Sequence, residues 1–285
     1  MPAGGSDSPA SLFPQRAIFP QLEPLLCVTF FTCVGTGIDG ATSLEQTYGP
    51  VVNYLEEQRQ VPYELAWLDN GGSVSVQRDF VSRGAQIEHL LSNPTNEGLF
   101  RAVNDVWFRG RACTAPYVLN LEDDRVPHPT PPLPAAVQAE VQLTLLRSVE
   151  LLRADKLVVG VRLKDEWSDE MVGRAMAKPL GRPLPWLTAP SGLQYQRHCM
   201  ALQSGVVWGS FSMAAVLYDR QRLHDMVGLV TEGAPFDEMP YDYAEGQYAV
   251  RVGLAGLCTA RPAFPHACDA CRGSGGGGDG GGGGE

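Results

Sequence analysis

Across its 285 residues the chain carries 22 Lys and Arg against 32 Asp and Glu, a formal net charge of −10. That balance excludes a nucleic-acid surface built on clustered cations. Apolar side chains make up 44% of the sequence, enough for the core of one large α/β domain or two small ones.

Residues 1–22 are rich in Ser, Pro, Gly and Ala and read as a flexible lead-in. Leu25–Cys33 is a continuous apolar run of the kind buried on both faces of a parallel sheet. It is too short to span a bilayer and has no basic flank, so no membrane span or signal segment is expected in this chain. Ser43–Gln60 has helical spacing, with Leu44, Tyr48, Val51, Val52 and Leu55 on one side. Tyr63–Leu68 predicts a second strand ending in the turn Asp69-Asn70-Gly71-Gly72-Ser73. Helical patterns cover Val76–Leu91 and Glu97–Arg109, and a third apolar strand, Tyr117–Leu121, runs into Glu122-Asp123-Asp124. This alternation predicts an α/β fold with a mostly parallel central sheet flanked by helices.

Further on, Pro127–Pro134 is a proline-rich link, Ala135–Arg153 a helix and Leu157–Leu163 a strand. Residues 178–192 hold four prolines and suggest an ordered loop. Gly205–Gly209 predicts a short strand, Ala214–Val230 a helical stretch and Tyr243–Leu254 a closing helix. The domain therefore spans 23–267, and the glycine-rich 268–285 cannot bury enough surface to fold.

Seven cysteines, an odd number in a chain this long, do not read as a disulfide scaffold. Cys27 and Cys33 fall in the first strand, where cysteine packs as a small hydrophobe. Cys268 and Cys271, near His266, have CxxC spacing but lack the further ligands a structural zinc needs. A surface thiol pair, or a disulfide in an oxidising compartment, is the expectation. The other histidines, His89, His128, His198 and His224, are scattered, and no GxSxG occurs, so neither a metallohydrolase nor a serine triad is indicated.

Three segments carry chemistry. Gly35-Thr36-Gly37-Ile38-Asp39-Gly40 is literally GxGxxG between a strand and a helix, the setting of a dinucleotide fingerprint. A polar turn follows it instead of small apolar residues, and a plain flexible loop would read the same. At Glu122-Asp123-Asp124, three adjacent carboxylates repel one another unless a cation offsets them. Hard oxygen donors suit Mg²⁺ or Mn²⁺ completed by water and a diphosphate; the bland alternative is a solvated turn with Arg125 as counterion. The third segment is Phe236–Gln247, with Asp242 and Glu245 at a predicted helix start, where a carboxylate also serves simply to complement the helix dipole.

The order of these segments resembles a GT-A glycosyltransferase of the family-2 kind, over residues 25–126. The likeness rests on Val28–Thr32 leading into a nucleotide pocket, on Leu68-Asp69-Asn70-Gly71-Gly72-Ser73, on Asn96–Asn104, and on the strand that ends in Glu122-Asp123-Asp124. The resemblance implies a single GT-A (Rossmann-like) domain that moves a sugar from a nucleotide-diphosphate donor, such as a UDP-sugar, to a glycan, lipid or protein hydroxyl. By it, Thr32, Asp69, Arg101, Asn104 and Asp123 would line the donor site. Asp124 would bind Mn²⁺ or Mg²⁺, with Glu122, one methylene longer than the usual aspartate, as second ligand of this DxD-like motif. Glu245 would be the catalytic base and Asp242 its alternative, although Gly246 replaces the second member of the family's acidic pair. Arg220 and Arg222 would meet the diphosphate or form a solvated helix face. Two other readings stay open: an NAD(P)-dependent Rossmann oxidoreductase using Gly35–Gly40, and a catalytically inactive GT-A binding module. The compartment would be the Golgi lumen if an anchor lies outside this chain, and the cytoplasm otherwise.

Overall fold

The structure, a computed structural model, describes residues 13, 14, 16, 22–32, 39–58, 60–72, 74–122, 142–163, 184–199, 215–227, 252 and 254–263. In chain order these form β1 (Leu26–Thr32), α1 (Asp39–Glu57), β2 (Tyr63–Asn70), α2 (Val74–Ser82), β3 (His89–Asn93) and α3 (Gly98–Val103). A π-helical turn at Asn104–Phe108 continues α3, followed by β4 (Tyr117–Glu122), α4 (Thr144–Ala154), β5 (Val158–Arg162) and β6 (Leu187–Thr188). The last elements are β7 (Gln194–Cys199), β8 (Val216–Asp219), α5 (Arg220–Val227) and β9 (Cys258–Pro262).

The strands build one sheet in the order β3-β2-β1-β4-β8-β5-β9-β7-β6. The first four pair in parallel. Beyond β4 antiparallel pairing takes over, at β4–β8, β8–β5, β9–β7 and β7–β6, with only β5–β9 parallel. The fold is therefore α/β, but the expected mostly parallel sheet is corrected to a mixed one. The reason is that β8, β7 and β9 were not foreseen as strands. Ala214–Val230 is not one helical stretch, because β8 gives way to α5 without an intervening loop. The predicted helix Val76–Leu91 ends at Ser82, and its last part turns into the edge strand β3.

Alternation along the strands sorts the core into two layers. One face sends Val28, Phe30, Leu65, Trp67, Leu119, Val161, Leu217 and Ala260 under α1 and α4, against Tyr48, Val52, Leu145 and Val149. The other carries Cys27, Ala66, Leu68, Val118, Val216 and Tyr218 under the α3–π segment, against Val103, Val106 and Trp107. Gly160 lets Tyr218 lean across β5, since a Cβ there would sit 2.4 Å from the tyrosine ring. Within the segment read as a lead-in, Phe13 packs on Phe80 and Tyr48, with ring centroids 4.7 and 5.2 Å away. Arg16 donates to the carbonyls of Gln86 and Tyr63.

Cysteine behaves differently from the expectation. Cys27 is bonded to Cys113, and Cys199 to Cys258, so Cys27 is a cross-link as well as a core residue. Among the described residues no helix is long and apolar enough to cross a membrane.

Candidate functional site

In β3-β2-β1-β4 the chain runs outward from β1 on one side and resumes at β4 on the other. Such a reversal leaves a crevice at the carboxyl ends of the two central strands, the usual ligand position in open α/β sheets. Thr32 ends β1, Asp69 and Asn70 end β2, Asn93 ends β3 and Glu122 ends β4. Register sets Thr32 opposite Asp69 and Phe31 opposite Glu122.

Thr32 and Asp69, predicted from distant parts of the sequence, meet here. The Trp67 indole N–H donates to Thr32 Oγ1 at 2.8 Å, and that hydroxyl donates to Asp69 Oδ1 at 3.2 Å. Trp67 and Asp69 are fully buried, so this relay fixes the carboxylate with little freedom to rotate. The glycine pair after it serves the same end. A Cβ on Gly72 would fall 1.5 Å from Asp69 Oδ2, so the carboxylate occupies the volume a side chain would fill. Gly71 sits at φ +108°, a left-handed turn with no room for a side chain beside the backbone of Asn96.

A network of asparagines holds this turn, and sequence reasoning did not pick it out. Asn70 Nδ2 donates to Asn96 Oδ1 at 2.9 Å and to the Gly98 carbonyl at 3.2 Å. Its Oδ1 accepts from Asn93 Nδ2 and from the Glu97 amide, at 3.1 and 3.0 Å. The ends of β2 and β3 are thereby tied to the start of α3. Asn70-Gly71-Gly72 and Asn93-Pro94-Thr95-Asn96 carry the only sequence signal, and asparagine suits any solvated turn equally well.

The two donor residues expected on the helix differ in exposure. Asn104 is buried and opens the π-helical turn, a distortion frequent at functional sites. Arg101 pairs with Glu97 at 2.7 Å and keeps its side chain 58% exposed. Beneath the π turn, Trp107 Nε1 donates to Thr29 Oγ1 at 3.3 Å, and Thr29 donates to Asn120 Oδ1 at 3.1 Å. Asp105 is clasped by Arg109 and Arg111 at 2.8 and 2.6 Å, which secures the turn from the outside.

Glu122 is fixed by its backbone as the last residue of β4; its side chain, like Asp123, Asp124, Asp242 and Glu245, lies outside the described residues. Gly35–Ile38 of the glycine motif and the pair Cys268 and Cys271 lie outside them too. Among the described residues no three His, Cys, Asp or Glu side chains form a metal-ligand group.

Arg220 and Arg222 do not face this crevice. Arg220 NH1 and NH2 donate to the carbonyls of Trp107 and Thr114, both at 3.1 Å. Arg222 pairs with Asp219 at 2.9 Å and donates to the Leu152 carbonyl at 2.8 Å. Both cap backbone groups at the opposite end of the sheet, so the diphosphate role is withdrawn. A search against protein-family models and curated proteins finds no match for this chain.

Proposed function

We propose that this chain is a metal-dependent glycosyltransferase of the GT-A kind, moving a sugar from a nucleotide-diphosphate donor to a hydroxyl acceptor. The observation that carries the reading is the convergence, at the β1/β4 reversal, of the Thr32–Asp69 pair with the strand that ends in Glu122. Sequence likeness alone had linked those residues.

In this reading Asp69, held by Thr32 and Trp67, accepts hydrogen bonds from the nucleoside. Its fixed orientation lowers the entropy lost when the donor binds. Asn104 and Arg101 line the donor site, and Asp123 supports it. The residues at and just beyond the end of β4, Glu122 with Asp123 and Asp124, would offer hard oxygens, which fits Mn²⁺ or Mg²⁺. Asp124 is the first ligand and Glu122 the second. When bound, the cation neutralises charge developing on the leaving diphosphate. Glu245, or Asp242 in its place, takes the proton from the acceptor hydroxyl.

A thermal-shift panel of UDP, GDP, CDP and NAD, each with and without Mn²⁺, tests the proposal. Stabilisation is expected only when a nucleoside diphosphate and Mn²⁺ are both present, and about 2.7 kcal/mol at a hundredfold excess over Kd. Asp124→Ala should remove the metal requirement together with the shift. Stabilisation by NAD without metal would return the site to the oxidoreductase reading. Diphosphate binding with no turnover of any donor would mark an inactive module.

A further inference from the structure

A polar relay crosses the apolar layer under the α3–π segment. Thr29, Asn120 and Trp107 are all buried there, in the layer of Cys27, Ala66, Val118 and Val216. Packing alone does not require the polar groups. Replacing both partners of a buried hydrogen bond by apolar groups of the same shape is close to neutral or stabilising. Thr29→Val with Trp107→Phe would fill this layer as well.

What the polar groups add is register. A slip of β4 by one residue along β1 turns its apolar side chains to the wrong face, whereas a slip of two keeps every side chain on its face. Apolar packing therefore discriminates only weakly against the second. Thr29 is opposite Asn120 and donates to its Oδ1 at 3.1 Å. A two-residue slip would set Thr29 opposite Val118 or Glu122 and break that bond. A hydroxyl or amide left unpaired in a dry layer is penalised more than a made bond is rewarded. Fixing registry is the best-attested use of such buried polar groups.

Trp107 extends the constraint to the helix. Its indole N–H donates to the same Thr29 hydroxyl at 3.3 Å. Cys113 follows the π turn, donates its amide to the Val106 carbonyl at 3.2 Å, and is bonded to Cys27. Cys27 and Thr29 are two apart on β1 and share a face. The π segment is thus pinned to that strand at two points. A π turn is a rare distortion of a helix, and here these pins oppose the clasp on Asp105 from the other side. Each arm of the relay leads along its own element to a residue of the candidate site. Thr32 lies three residues beyond Thr29, Glu122 two beyond Asn120, and Asn104 three before Trp107.

We propose that Thr29 is a positioning residue: through Asn120 and Trp107 its hydroxyl sets the end of β4 and the π turn in register with β1, and so brings Glu122 and Asn104 to the donor site. That this positioning serves donor binding rests on the glycosyltransferase reading; the registry itself does not.

Hydrogen exchange, thermal melting and nucleotide titration of the full chain test it. Thr29→Val/Trp107→Phe removes both bonds without leaving the indole unpaired. Its melting temperature should change little, while amides of 104–108 and of the end of β4 exchange at least about tenfold faster. UDP affinity, measured calorimetrically with Mn²⁺ present, should fall at least about tenfold. Thr29→Ser keeps the hydroxyl and should retain the parent values of both. Trp107→Phe alone leaves the Thr29–Asn120 bond in place, so it should loosen the π turn and not β4; it decides the matter if the double variant fails to fold. Unchanged exchange at both segments overturns the relay. Faster exchange spread evenly over the sheet does so too, since that is the mark of a merely structural role. Local loosening with full UDP affinity keeps the registry and overturns its service to donor binding. A parent chain that binds no nucleoside diphosphate, with the local loosening still seen, removes the transferase reading and leaves the registry standing.

Discussion

At the residue scale the candidate site depends on keeping one carboxylate still. Asp69 touches Thr32 on one side and the empty Cα face of Gly72 on the other. Gly72→Ala would drive a methyl group into the space of Asp69 Oδ2, and a buried carboxylate with little slack has to turn away. The expected result is a drop of about 1–3 kcal/mol in stability by denaturant titration, the usual cost of overpacking. Nucleoside diphosphate affinity should fall at least about tenfold, since each 1.4 kcal/mol is a factor of ten. Thr32→Val keeps the shape but removes both the acceptor for the Trp67 indole and the donor to Asp69. It should cost ~1–3 kcal/mol through groups left unpaired. If both variants bind nucleotide like the parent chain, Asp69 has no part in the donor site.

At the scale of elements, the far end of β2 shows how the strands are held in register. Glu64 accepts hydrogen bonds from the amides of Thr114 and Ala115, at 2.6 and 2.8 Å, and from His89 Nε2 at 2.8 Å. It thereby joins β2 to β3 and to the segment entering β4. Burial pushes its carboxyl up, but the bonds from Ala115, His89 and Thr114 outweigh burial and hold it below the usual range. Asp155 follows the same pattern, with burial opposed by Arg197, Tyr195 and the Leu157 amide. A carboxyl depressed in the folded state contributes its full stability above its unfolded pKa, near 4.5 for Glu64, and loses it as pH falls through the lower folded value. Melting temperature should therefore fall on acidification below about pH 4.5. Glu64→Gln should flatten that decline and cost roughly 1–3 kcal/mol at neutral pH. An unchanged acid limb in the variant would show that Glu64 does not drive it.

The same elements explain what was legible beforehand. β1, β2, β4 and α1 were read because each buries a long apolar run or stripe, and Thr32 and Asp69 were reachable as the residues ending two of those runs. β7 was missed because Gln194-Tyr195-Gln196-Arg197-His198-Cys199 looks like solvated loop. Its polar groups are satisfied only in the fold: Arg197 meets Asp155 at 2.6 Å and Gln196 donates to the Leu184 carbonyl at 2.9 Å. β3 was absorbed into a helical pattern because an edge strand with half-exposed Leu90 and Leu91 keeps little alternation. The asparagine network was invisible for a related reason, since its partners are 23 to 28 residues apart and meet only when β2 and β3 pair.

For the molecule as a whole, the two disulfides reach furthest. Cys27 and Cys113 close a separation of 86 residues and bind β1 to the segment beyond the π turn, inside the layer that carries Trp107. Cys199 and Cys258 close 59 residues and bind β7 to β9 at the end of their pairing. Disulfides form and persist in oxidising compartments, and these two cross-links fit such a setting. The chain has seven cysteines, and four are committed, which leaves at most three free thiols. Thiol titration of the denatured protein, produced through an oxidising compartment, should count no more than that. Each cross-link is worth ~2–5 kcal/mol through the unfolded chain it restrains, so removing both should lower the melting temperature sharply. Their accessibility differs: Cys27 and Cys113 are buried, whereas Cys199 is exposed. Under graded phosphine reductant the Cys199–Cys258 bond should open first in non-reducing peptide maps, before the global unfolding midpoint moves. Reduction of Cys27–Cys113 should coincide with loss of the fold. Seven titratable thiols in protein made through the oxidising route would overturn both cross-links.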